Sequence, residues 1–215
     1  MKFIKLKISN HAFKYLLVLI VLLLISTIFS LILSFLIFFI LCFVAYFFRD
    51  PDRFIPNGDN LIVSPADGTI ICVDEVPLPK EISNSEIKFK RVGIFLSVFD
   101  VHINRVPFSG IVKSIKYVSG KFVKANIQDS DIKNERNIIL IETKQNDQIV
   151  FVQIAGLIAR RIVCNIKEND EIIKGDKFGM IKFGSRTDIY FPSHLKPQVF
   201  VGQKVVGGES VIADF

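Results

Sequence analysis

The chain has 215 residues, half of them hydrophobic, with a mean hydropathy of +0.44, which is too apolar for an ordinary soluble domain. Its net charge of +6 is not a nucleic-acid footprint. Lys2, Lys5, Lys7 and Lys14 all precede the first acidic residue, Asp50, and the rest of the chain is close to balance. Cys42, Cys72 and Cys164 are far apart and odd in number, a pattern of buried thiols in a reducing compartment, with no disulfide framework or metal knuckle.

The first predicted element follows a basic flank at residues 1–14. Residues 15–48 carry no charge and are mostly Leu, Ile, Phe and Val. The run is too long for the apolar core of a secretory signal, and no small-x-small cleavage site follows it. One helix of this length would reach roughly 50 Å, well past the ~30 Å hydrocarbon layer. Two helices meeting near Ser30 to Ser34 fit better, with one long tilted span as the alternative. A hairpin returns the chain to the side it came from, and the lysines put that side in the cytoplasm. Tyr46, Phe47, Phe48 and Arg49 read as an interfacial belt at the exit. The expectation is a cell-membrane protein with its folded domain on the cytoplasmic side.

Residues 49–215 read as one domain dominated by β-strands, a barrel-sandwich in the style of lipoyl-like folds. Short β-branched runs recur at 61–63, 69–73, 92–98, 110–118, 138–142, 149–154, 158–163, 178–182 and 199–201. Turn signals stand between them at Asp67-Gly68, Ser109-Gly110, Asn146-Asp147 and Gly207-Gly208. Residues 119–137 are polar and irregular and read as a long loop.

Four segments of this domain carry candidate chemistry. Ser64-Pro65-Ala66-Asp67-Gly68 comes first, followed by the run Phe95-Leu96-Ser97-Val98-Phe99-Asp100-Val101-His102-Ile103-Asn104-Arg105-Val106-Pro107. Asn134 to Asn137 and Gln153 to Arg161 form a third block. The last is Gly175 to Asp188, in which Gly184-Ser185 stands between a strand and the polar turn Arg186-Thr187-Asp188. Glycine before serine lets the hydroxyl reach the preceding carbonyl and tolerates a bent backbone. Taken singly these features have plainer readings. Gly-Ser is ordinary turn chemistry, His102 suits a core histidine and Asp67 a turn. His11 beside the apolar run and His194 in a loop are poor catalytic candidates.

In this order, and with an apolar N-terminus, the segments closely resemble the short bacterial and archaeal phosphatidylserine decarboxylases. The resemblance implies a proenzyme that cuts itself between Gly184 and Ser185 into residues 1–184 and 185–215. Ser185 would attack the Gly184 carbonyl, and β-elimination and loss of ammonia would leave a pyruvoyl group as cofactor, without metal or pyridoxal phosphate. That carbonyl would form a Schiff base with phosphatidylserine, releasing carbon dioxide and then phosphatidylethanolamine. The family's Asp-His-Ser arrangement falls on Asp67, His102 and Ser185, with His102 as base and Asp67 orienting it. Longer family members carry a second histidine three residues on, where this chain has Arg105. Arg105, Arg160 and Arg161 are the candidates for lipid phosphate, and of the adjacent pair at most one would face the site if both lie on a strand. The implied partners are phosphatidylserine in the membrane and the chain's own two fragments as a heterodimer, with a higher oligomer left open and no nucleic acid.

Other readings remain beside it. A membrane-anchored lipoyl-like carrier would use Lys177 and leave Ser185 without a role. A metallopeptidase would need clustered histidines, whereas His11, His102 and His194 are scattered. A decarboxylase of an ether-linked serine lipid would use identical head-group chemistry.

Overall fold

The computed structural model describes residues 7–121, 130–156, 161–182 and 185–215. The chain divides into two units, residues 1–52 and 53–215.

The first unit is a helical hairpin. Helix α1 (Phe13–Phe29) and helix α2 (Leu31–Phe47) are separated by Ser30 alone. Ser30 is extended (φ −162°, ψ 122°), and its hydroxyl accepts from the Leu33 amide to begin α2. Across the bend the Ser26 and Ser34 hydroxyls are 2.9 Å apart, so both polar side chains are satisfied inside an apolar hairpin. At the other end Ile8 bridges Arg49, and Lys7 pairs with Asp52 at 2.6 Å. Entry and exit therefore lie side by side. The helices turn Leu, Ile and Phe side chains outward almost all round, as a helix does when its surroundings are apolar. Residues Asn10–Phe29 are long and apolar enough to cross a membrane; α2 is shorter. Cys42 lies on an exposed part of α2, while Cys72 and Cys164 of the second unit are half-buried free thiols.

The second unit is β-dominated, as the strand-rich pattern predicts. Its main sheet consists of β2 (Gly68–Pro77), β3 (Lys88–Leu96), β5 (Gly110–Val118), β6 (Arg136–Glu142), β7 (Gln148–Ala155), β9 (Glu171–Ile172), β11 (Ser185–Pro192) and β12 (Lys204–Val205). Their order is β12-β2-β3-β11-β7-β6-β5-β9, and every pairing is antiparallel. A three-stranded sheet contains β4 (Ile103–Arg105), β10 (Lys177–Ile181) and β8 (Ile162–Cys164). A third, two-stranded sheet joins β1 (Leu61–Val63) to β13 (Val211–Asp214).

Alternation along the central strands creates two faces. Ile139, Ile141, Phe151, Ile189 and Phe191 point into the main core. Ile138, Val150, Val152, Ile154 and Tyr190 form a smaller cluster on the reverse face with Leu78.

Three local expectations change. Arg186, Thr187 and Asp188 are not a turn but the interior of β11, paired on both sides. Residues 199–201 are not a strand, and the strand there is the short β12. Residues 119–137 hold a one-turn helix α3 (Ser130–Lys133) and the start of β6, with 122–129 outside the described residues.

Candidate functional site

Ser185 opens β11 and sits between two strands, in register with Leu96 of β3 and Ala155 of β7. Its side chain shares the inward face with Thr187, Ile189 and Phe191. The residue is fully buried, and its Oγ has no hydrogen-bond partner among the described residues. Leaving such a group unmatched costs about 1–3 kcal/mol, so a buried orphan hydroxyl needs a reason. Ala155 beside it is held on both polar groups, its N–H donating to the Glu135 carbonyl and its carbonyl accepting from Asn134 Nδ2 at 2.7 Å.

The same inward face carries a chain of buried amides. Asn137 donates to Gln153 at 3.1 Å, Gln153 to Asn104 at 2.9 Å, and Asn104 to Thr187 Oγ at 3.5 Å. Gln153 also donates to the Val163 carbonyl at 3.1 Å. Gly179 makes this approach possible. A Cβ there would lie 2.1 Å from the Val163 oxygen and 2.9 Å from Gln153 Nε2. These polar residues were within the segments singled out in the sequence, but only position within the strands reveals them. Asn137 and Gln153 occupy inward positions that Ile139, Ile141 and Phe151 fill further along, where an apolar residue is the rule.

His102 lies between β3 and β4 and is fully buried, with Nδ1 2.9 Å from the Asp100 carbonyl. Donation from Nδ1 to that oxygen puts the lone pair of the neutral ring on Nε2. One strand neighbour connects this loop to Ser185, since Leu96, which pairs with Ser185, leads directly into residues 97–102.

Asp67 has other partners. Both its carboxylate oxygens accept from Arg53, at 2.7 and 2.9 Å, and Oδ1 also accepts from the Gly207 amide at 2.8 Å. Burial pushes its carboxyl above the ordinary range despite these contacts, with Asp100 adding to the rise. Arg105 is buried and donates to the Gly175 carbonyl at 2.9 Å. Arg161 is exposed and outside any strand. Gly184 and Arg160 lie outside the described residues.

The reverse face of the sheet carries a different cluster. Arg186 holds Asp188 through two hydrogen bonds of 2.6 and 2.8 Å, and its guanidinium is 3.4 Å from Cys72 Sγ. Gly93 leaves the space for this group, because a Cβ there would meet Cys72 Sγ at 2.6 Å. A cavity of about 910 Å³ lies on this side, lined by Asp74, Arg91, Arg136, Arg186 and Tyr190 among others. Strand alternation separates it from Ser185, which faces the other way.

The likeness of this chain to known proteins is extensive. A family profile described as phosphatidylserine decarboxylase matches residues 40–213. A phosphatidylserine decarboxylase proenzyme of Rickettsia bellii (strain OSU 85-389) is 48% identical over 170 residues, 79% of this chain and 74% of that protein. Proteins of the same name in Rickettsia africae (strain ESF-5) and Rickettsia prowazekii (strain Madrid E) are 49% and 48% identical over the same shares. The chain belongs to the phosphatidylserine decarboxylase family.

Proposed function

We propose that this chain decarboxylates phosphatidylserine to phosphatidylethanolamine and carbon dioxide, using a pyruvoyl group that it makes from its own Ser185. The observation that carries the reading is the Ser185 hydroxyl: buried, without a hydrogen-bond partner among the described residues, and at the first residue of a central strand. A hydroxyl reserved for attack fits that condition better than one selected for packing. In the precursor, the Ser185 Oγ–H adds to the carbonyl carbon of the preceding residue, Gly184. The Oγ proton leaves to a base, the Gly184–Ser185 C–N bond breaks, and the nitrogen gains a proton, which converts the amide to an ester. Loss of the Ser185 Cα proton with cleavage of the Cβ–Oγ bond then releases the chain ending at Gly184. Water replaces the nitrogen, which departs as ammonia.

His102 is the base in this reading, with its Nδ1–H held by the Asp100 carbonyl, which leaves Nε2 as the nitrogen that would take the proton. The Asp67–Arg53 pair supports the neighbouring loops, and its burial keeps a carboxyl of raised pKa near the Asp100 segment. Once formed, the pyruvoyl group supplies the electrophilic carbonyl, and thus the electron sink, that loss of carbon dioxide from an α-amino acid head group requires. Arg105, Arg160 and Arg161 are the cations proposed for the lipid phosphate.

The fragments 1–184 and 185–215 stay joined in this scheme because β11 is hydrogen-bonded to β3 and β7 along its length. β12 and β13 add pairings to β2 and β1. The apolar hairpin inserts from the cytoplasmic face and returns to it, which leaves the catalytic unit on the side of the N-terminal lysines.

Intact mass measurement tests the scheme. Two fragments are expected, the smaller lighter by one ammonia than a peptide beginning with serine, and Ser185→Ala remains whole and inactive. A Ser185→Ala protein that is cut and active refutes the cofactor's origin.

A further inference from the structure

Apolar residues stand exposed in three loops of the β-dominated unit where polar ones are the rule. Residues 200–203 form a tight turn, closed by the Gln203 N–H donating to the Phe200 carbonyl at 3.1 Å, with Gly202 at φ +91°. Such a tip favours small or polar residues, yet Phe200 is 69% exposed and Val201 beside it is exposed too. Phe54, 80% exposed, and Phe99, also exposed, stand in two further loops.

Polar contacts gather these loops at one end of the unit. Arg53, next to Phe54, holds both carboxylate oxygens of Asp67, and the Phe54 N–H donates to Glu209 Oε1 at 3.0 Å. Asp67 also accepts from the Gly207 amide, two residues beyond β12. Lys204, which opens β12, brings its Nζ to 3.9 Å from Oδ1 of Asp100, the neighbour of Phe99. Single exposed apolar side chains are ordinary on a protein surface. A gathered set marks a surface that meets something apolar.

Two features identify what meets this end. Phe54 lies two residues past Asp52, the last residue of the apolar hairpin unit, so the chain carries it no more than about 7 Å from there. The loop that bears Phe99 also bears His102, and a phosphatidylserine head group is presented by a bilayer. We propose that Phe54, Phe99, Phe200 and Val201 form a lipid-contact face, which enters the interfacial layer and brings the His102 loop to the head groups. Aromatic side chains favour that layer, and the exposed Lys204 among them offers a cation to anionic lipid. The inference rests on the decarboxylase reading for its substrate.

The chain contains no tryptophan, so a single introduced one reports alone. Full-length Phe200→Trp, Phe54→Trp and Ile87→Trp proteins are placed in vesicles of phosphatidylcholine and phosphatidylserine, with or without bromine on the acyl chains near the head group. Ile87 is the control. It matches Phe200 at 69% exposed but precedes β3, at the opposite end of the β2–β3 pair from Thr69 and Phe95. Bromine should quench Phe200→Trp and Phe54→Trp and leave Ile87→Trp unchanged. Emission at position 200 that is indifferent to bromine, the result if a second copy of the chain covers this end, overturns the proposal. Equal quenching at Ile87 overturns it as well. A chain carrying both Phe54→Ser and Phe200→Ser should cleave itself normally and decarboxylate monomeric short-chain phosphatidylserine at the wild-type rate. On vesicles it should lose activity ~10-fold or more, the scale of withdrawing a phenyl side chain from an apolar phase. Full activity on vesicles overturns the face. Wild type inactive on both substrates would instead overturn the decarboxylase reading and leave the quenching result standing.

Discussion

At Asp67 the partner present in the structure is Arg53, and this pair is nearly enclosed, with side-chain exposures of 11% and 15%. Breaking one side of a buried pair leaves an uncompensated charge. Arg53→Ala should therefore lower stability by about 3 kcal/mol in denaturant titration, more than Lys7→Ala at the exposed Lys7–Asp52 pair. Cys72 gives a pH-dependent case. Burial and then the charge of Asp188 push its thiol up to about 11 from an ordinary 9.0. The folded state holds a proton in that window that the unfolded chain has released, so stability is full below pH 9 and falls as the pH climbs to 11. Wild type should lose about 2 kcal/mol more than Cys72→Ala across that range. At pH 8 the thiol should react slowly with iodoacetamide, as its thiolate is scarce.

Strands that are short β-branched runs bounded by turn residues could be read from the sequence alone. Residues 61–63 and 110–118 are strands with those bounds, and 138–142 and 149–154 are strands extended slightly at their ends. Arg186 to Asp188 could not, because three polar residues after a glycine mimic a turn. They are accommodated by features remote in sequence: Gly93 and Cys72 on one face, Asn104 on the other. Residues 199–201 mislead in the opposite way, since they are apolar yet partly exposed in a turn. The Gly-Ser pair and His102 were recognisable by motif, whereas the amide network depended on the register of β6, β7, β4 and β11. Gly179 of β10 sits close against β8 and against Gln153 of β7. Gly179→Ala would drive a Cβ against the backbone oxygen of Val163, and neither side can yield by rotating a side chain. Its melting temperature should fall and its self-cleavage slow with it, as circular dichroism and gel analysis would show.

The hairpin of residues 7–52 and the β-dominated unit are separate compact bodies, so the candidate membrane anchor and the β-dominated unit occupy separate stretches of sequence. Within the second unit, the proposed cut falls at the first residue of a strand flanked by neighbours on both sides. Most natural chain ends lie at the surface; this one would arise inside a finished sheet. The cut protein then differs from its precursor in how it was assembled as well as in its covalent bonds. The precursor folds in a unimolecular reaction, while the separated pieces must find each other in a bimolecular one, with β11 missing from the middle of the larger piece. After denaturation and dilution, Ser185→Ala should recover its native fold to the same extent at every protein concentration. Recovery of the mature pair should fall as the protein is diluted, so that its native state retains a memory of having once been a single chain.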